Sequence, residues 1–139
     1  MANQLYDKYR EAALAGGINW GIGAAGDVIK GVLVDLGAYT PVIGTHQYLS
    51  DIPIGARVST SPAFSGKTIT AGVADANDAT FAAVTGPTVE AMAIIKDTGT
   101  PATSPLIGLI DTATGLPVTP NGGDITVTFD NGPNKIFKL

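Results

Sequence analysis

The sequence predicts a mainly β fold: an antiparallel β-sandwich or small barrel of about eight short strands with an N-terminal helix or arm. Three observations predict it. Short apolar runs recur at near-regular spacing, each bounded by Gly, Pro, Asn or Asp, the residues that form turns. Near the C-terminus, Ile125, Val127 and Phe129 alternate with Thr126, Thr128 and Asp130, the two-residue period of a half-buried strand. Only one stretch, residues 3–15, carries helical spacing, in Leu5, Tyr6, Tyr9, Ala12 and Ala13.

Taken in order, the helix is expected to start at Asn3 as N-cap, to pair Asp7 with Arg10, and to stop at Gly16 and Gly17. Residues 16–26, with the sole tryptophan Trp20, read as a flexible connector. This divides the chain into an arm, 1–26, and a β-domain, 27–139. Residues 27–36 read as a strand. Thr45–Asp51 reads as one helical turn capped by Thr45. Strands follow at Ala56–Thr60, Thr68–Ala74, Ala79–Val84, Val89–Lys96 and Leu106–Asp111. The last twenty residues read as a hairpin running to Leu139. Pro133 lacks the N–H that a two-residue Asn-Gly turn would need, so a four-residue loop, Asn131–Asn134, is expected, with Asp130 opposite Lys135.

The strand faces differ. Residues 28–36 and 106–110 are apolar on both sides. In 89–96, Val89, Ala91, Ala93 and Ile95 make one apolar face while Met92 and Ile94 lie on the other. Such strands must be covered on both faces. Either the helix of residues 3–15 supplies that cover and Tyr6, Tyr9 and Trp20 pack in the core, or Met92 and Ile94, with Leu5, Tyr6, Tyr9 and Trp20 of the arm, are the candidate contacts with other chains.

Composition excludes several functions. There is no cysteine, so there are no disulfides or thiolate metal sites. A net charge of −4, a pI near 4.6 and no basic run argue against nucleic acid. Charged residues are 14% of the chain, against about 25% in an ordinary soluble domain, and mean hydropathy is +0.25; both lean towards an assembled protein. No apolar run approaches the roughly 18 residues of a membrane span. The run MANQLYDKYREAALAGG is too charged and too amphipathic for a secretory signal, so the chain is expected to be made in the cytoplasm and kept whole.

Motifs for chemistry fail on context. Gly21-Ile22-Gly23-Ala24-Ala25-Gly26 matches GxGxxG, but a helix precedes it and a strand follows, the reverse of the dinucleotide site; it reads as a glycine hinge. Asp75-Ala76-Asn77-Asp78 resembles the start of a calcium loop, but Thr80 and Gly86 stand where Gly and Glu are required, so it reads as a turn. His46 is the only histidine, and no GxSxG accompanies it. Glu11 and Glu90 do not make an obvious carboxylate pair. No enzyme, cofactor or metal is expected.

The stretches NQLYDKYREAALAGGINW, VLVDLGAYTP, DIPIGARV and AIIKDTGTPATSPLIGLIDTATGLPVTPNGGDITVTFDNGPNKIFKL resemble a family of small tailed-bacteriophage virion structural proteins. The similarity spans nearly the whole chain outside residues 21–26. The resemblance implies a head-associated cement or decoration protein. Its partners would be the major capsid protein and itself, as a possible homotrimer, and its location the capsid surface after synthesis in the host cytoplasm. A neck, tail or fibre-base protein is the alternative, and a carbohydrate-binding module on the virion is a third.

Overall fold

The computed structural model describes residues 3–139. Among these the chain forms ten strands, all paired antiparallel, and one α-helix. In order they are β1 (Gln4–Leu5), α1 (Asp7–Leu14), β2 (Ile29–Val34), β3 (Arg57–Thr60), β4 (Thr68–Thr70), β5 (Val73–Asp75), β6 (Ala79–Phe81), β7 (Ala91–Lys96), β8 (Leu106–Ile110), β9 (Ile125–Val127) and β10 (Phe137–Lys138). They build a five-stranded sheet, β1-β8-β7-β2-β3, a three-stranded sheet, β10-β5-β4, and the pair β6-β9. This is the sandwich-like arrangement of short strands that the sequence predicts; none of the sheets closes into a barrel.

The two-sided strands sit at the centre of the large sheet. In β2 and β7, Ile29, Gly31 and Leu33 oppose Lys96, Ile94 and Met92 on one face, while Val32 and Val34 oppose Ala93 and Ala91 on the other. Apart from Lys96 and the small Gly31, every one of these side chains is among the buried hydrophobics, most at 0% exposure. On the first face Phe81 of β6 presses onto the sheet at Gly31. A Cβ there would lie 3.2 Å from the Phe81 ring and 2.6 Å from Met92 Sδ, so the smallest residue admits the aromatic. Segment 35–56 is closed at its ends by Asp35 N–H to Ala56 O and is tied to residues at the start of β8 by Leu49 N–H to Ser104 O and Leu106 N–H to Gln47 O. It adds Tyr39, Leu49, Ile52 and Ala56 to the same core.

A run of edge-to-face rings ties the N-terminal stretch to the C-terminus. Tyr9 meets Phe137 at 5.7 Å, Phe137 meets Trp20 at 5.3 Å, Trp20 meets Phe64 at 6.2 Å and Phe64 meets Phe129 at 5.6 Å. Each such pair contributes about 0.5–1.5 kcal/mol beyond its burial. Trp20 Nε1–H donates to Asp75 O at 3.3 Å, which satisfies its polar end.

Several expectations are corrected. Residues 3–26 are docked, not an arm reaching away: β1 pairs with β8, and Tyr6, Tyr9 and Trp20 belong to the single core cluster. The helix begins at Asp7, with Tyr6 at the N-cap, because Asn3 is used elsewhere. Asn3 Oδ1 accepts the N–H groups of Asp111 and Thr112, each at 2.9 Å, and its Nδ2 donates to Thr112 O at 3.1 Å, so it terminates β8. The C-terminal end of the helix follows expectation. Gly16, at φ +78°, donates to Ala13 O and Gly17 to Ala12 O, a Schellman closure. Thr68–Ala74 is a hairpin rather than one strand, turned by Ala71 and Gly72 at φ +52° and +79°. The helical turn expected over Thr45–Asp51 is shorter, Leu49–Asp51, and is capped at Tyr48 rather than Thr45.

The C-terminal hairpin is the main departure. β9 pairs with β6, and β10 pairs with β5 in a different sheet. Phe129 is drawn to Phe64 and Phe137 to Trp20 and Tyr9, so the two strands part. Asp130 turns inward on its own loop, accepting Gly132 N–H at 3.0 Å, instead of facing Lys135.

Three phenols lie in this core. Burial raises Tyr6 far above its usual 10.0, with the hydrogen bond it donates to Tyr39 adding to the shift. Burial also raises Tyr9 and Tyr39. A raised phenol is protected only while folded, so its stabilisation is intact below pH 10 and declines above it. The slope for any one tyrosine is at most about 1.4 kcal/mol per pH unit, between its unfolded and its folded pKa. Denaturant titrations across pH 9–12 are expected to show this loss, reduced in Tyr9→Phe. Phe137→Ala is expected to cost about 3 kcal/mol and to shift Trp20 emission to the red, because it removes the ring between Tyr9 and Trp20.

Candidate functional site: a groove beside the C-terminal strand

The structure places the predicted contact residues inside the molecule. Tyr6 and Met92 are 0% exposed, Ile94 1%, Tyr9 4% and Trp20 6%, while Leu5 is half-buried against the same cluster. This corrects the sequence expectation: five of the six serve the chain's own core, because its own segments cover both faces of the large sheet. Leu5 keeps a partial surface role at β1. Of the tryptophan and the four tyrosines, Trp20, Tyr6, Tyr9 and Tyr39 are buried and Tyr48 is half-buried.

A groove of about 1160 Å³ lies between two sheets. One wall is β1 of the five-stranded sheet, with Arg10 beside it. The other is β10 of the three-stranded sheet, with Lys135. Ile94, Gly108 and Ile110 reach its floor. Gly108 is small because Leu5 crosses it: a Cβ there would lie 3.3 Å from Leu5 Cδ2. Both walls are edge strands, paired on one side only. On β1 the exposed edge is partly closed, since Arg10 donates to Leu5 O at 3.0 Å and to Asp7 Oδ1 at 2.8 Å.

The groove is lined by Arg10, Lys135 and Lys138 and by the carboxylates Asp111 and Asp130. Of the six lysines in the chain, Lys8, Lys30 and Lys96 are ion-paired, with Glu11, Asp97 and Asp27. Lys30 holds the Asp97 carboxyl below the usual range, helped by Gly99 N–H. Lys67 is buried. That leaves Lys135 and Lys138, both at the groove, as the lysines without a carboxylate partner among the described residues.

The GxGxxG stretch is a closed loop rather than a hinge. Lys67 Nζ donates to Ala25 O at 3.0 Å and Asp27 O at 2.9 Å, and Gly23 N–H donates to Lys67 O at 2.7 Å. Gly21, at φ +76°, lies against Ala25 and Gly26 so closely that a side chain there would strike the backbone. Burial pushes the Lys67 ammonium below its usual 10.5, and Asp27 opposes that. The other tested motifs are equally structural. Asn77 N–H donates to Ser65 O, and Asp78 Oδ1 accepts Phe129 N–H at 2.9 Å. His46 Nδ1 accepts from Val42 N–H at 3.2 Å and from the Tyr39 hydroxyl at 2.8 Å, so its proton sits on Nε2. Tyr39 in turn accepts from Tyr6 at 2.9 Å. Beside it, Asp51 has its carboxyl lowered: burial alone would raise it, but the N–H groups of Tyr48 and Gln47, and nearby His46, outweigh that.

These arrangements hold backbone and core in place. Among the described residues, no three His, Asp or Glu side chains converge as a metal site, and no helix is long and apolar enough to cross a membrane. Compared with known proteins, the chain matches no family model and no curated sequence.

The groove itself had no signal in the sequence, since it depends on β9 and β10 parting. The one readable trace is the pair Lys135 and Lys138 close to the C-terminus, with Asp130 as the nearest acidic residue in the sequence. Replacing Lys67 with Ala is expected to leave the Ala25 and Asp27 carbonyls without their donor. The cost should be about 1–3 kcal/mol in denaturant unfolding, with new proteolytic cleavage within residues 21–27.

Proposed function

We propose that this protein is a structural component of a tailed-phage particle, a cement or decoration protein that binds the outer capsid surface by protein–protein contact. Support comes first from the family resemblance, which spans nearly the whole chain. The observation that carries the reading is the division of labour within the fold. The conspicuous polar clusters maintain loops and core, while a large groove edged by two strands and two unpaired lysines is left over, and the fold does not use it. Such a surface suits adhesion, in which main-chain edges and long side chains meet a partner. The partners are the major capsid protein and other copies of this chain, the latter as a trimer at local threefold positions.

Adhesion stabilises a shell by mass action. A ligand that binds only the assembled state shifts the equilibrium towards it, by about 2.7 kcal/mol per site at a hundredfold excess over Kd. Purified protein mixed with capsids stripped of it is expected to bind saturably and to raise their resistance to heat and shear. Absence of saturable binding contradicts the proposal. A copy number of about a dozen or fewer per particle, instead of the hundreds that decoration of a shell requires, moves the protein to the neck or tail.

A further inference from the structure

We infer that copies of this chain join head to tail through the two free edges of the three-stranded sheet, β10 of one copy meeting β4 of the next. The inference deepens the functional reading above and rests on it for the particle context, but its contacts are specified by this chain alone.

The sheet order β10-β5-β4 leaves one edge free at each end. The edges are complementary in apolar character. Register places Ile69, Ala74 and Phe137 in one row across the sheet. Ala74, in the middle, is buried, whereas Ile69 at the β4 edge is 45% exposed and Phe137 at the β10 edge is only half-buried. Placing β4 of one copy beside β10 of another sets Ile69 against Phe137 and completes the row at both ends. All three residues of β4 are exposed, and the bridge from Gly23 to Lys67 covers this edge only before Thr68. In β4 the residues paired at the tight turn, Thr70 with Val73, direct their backbone groups inward, so alternation directs those of Ile69 outward.

The opposite face of the same sheet is complementary in charge. Lys138 pairs with Val73 in register, and Val73 lies two residues from Asp75, so Lys138 and Asp75 project on one face. Neither side chain has a charged partner among the described residues. Asp75 lies one strand in from the β4 edge, opposite Thr68. At about 4.8 Å between strands, a lysine at the β10 edge of the adjoining copy can span to it. Lys135, on the groove wall, adds a second unpaired cation near the joint. Because the two joined surfaces differ, the contact is heterologous and closes into a ring when the rotation between copies permits; three copies fit the threefold placement.

The test is a charge swap read by sedimentation equilibrium on the full chain. The wild-type protein is expected to self-associate. Lys138→Glu and Asp75→Lys each place like charges across the joint and are expected to weaken association at least about tenfold, with unchanged circular dichroism. Combined in one chain, the two substitutions restore the attraction with reversed sign and should recover association. Ile69→Asn, which touches no charge, should also weaken it. A wild-type chain that stays monomeric at all attainable concentrations overturns the inference. So do single variants that associate like wild type, or a double variant no better than the singles. Monomeric protein that still binds stripped capsids overturns this joint but leaves the capsid reading standing. Association without capsid binding does the reverse.

Discussion

The constraint on which the rest of this structure depends is that β2, β7 and β8 are apolar on both faces. A strand with Val32 and Val34 on one side and Ile29 and Leu33 on the other cannot meet water on either. Everything else in the chain is arranged to cover that sheet. β6 and β9 bring Phe81 down on Gly31 and Met92, and segment 35–56 contributes Tyr39, Leu49 and Ile52. Tyr6 enters from β1 and joins Tyr39 through its hydroxyl. Tyr6, Tyr9, Trp20, Met92 and Ile94 are consumed in the process, while Leu14, Ile54 and Ile69 are among the large apolar side chains left at the surface.

Polar groups follow the same logic. Covering a sheet with irregular segments strands many backbone groups away from water, and each needs a partner. Lys67 supplies donors to two carbonyls of the glycine loop, Asp51 receives the N–H groups of Gln47 and Tyr48, and Asn3 closes the end of β8. These side chains occupy motifs or positions that resemble sites, but their hydrogen bonds are already committed. Lys135 and Lys138 stand apart because the fold asks nothing of them, and with Asp75 they become candidates for use between molecules.

Much of the fold was legible because periodicity reports burial directly. The two-sided strands, the break at Gly16 and Gly17, and the need for cover on both faces all follow from residue order. What the sequence could not convey was which cover falls where. Met92 and Ile94 show that strand 89–96 has a second apolar face, but not that Phe81, from β6, fills it. The C-terminal hairpin misled for a related reason. Ile125–Asp130 and Lys135–Leu139 satisfy every local rule for pairing. The distant rings Phe64, Trp20 and Tyr9 draw their aromatics apart, and tertiary packing overrides local pairing. The candidate contacts failed where the fold succeeded: a residue that must be covered looks the same in sequence whether its own chain or another covers it.

That ambiguity is resolved most directly by the environment of Trp20, the sole tryptophan, which lies between Phe137 and Phe64. Its fluorescence can be measured, with a neutral collisional quencher, in protein diluted until it is monomeric. If the chain covers its own sheet, emission stays blue-shifted and poorly quenched at every dilution. Emission that moves to the red and becomes freely quenched as the monomer forms would contradict the account, because Trp20 would then owe its burial to a neighbouring chain.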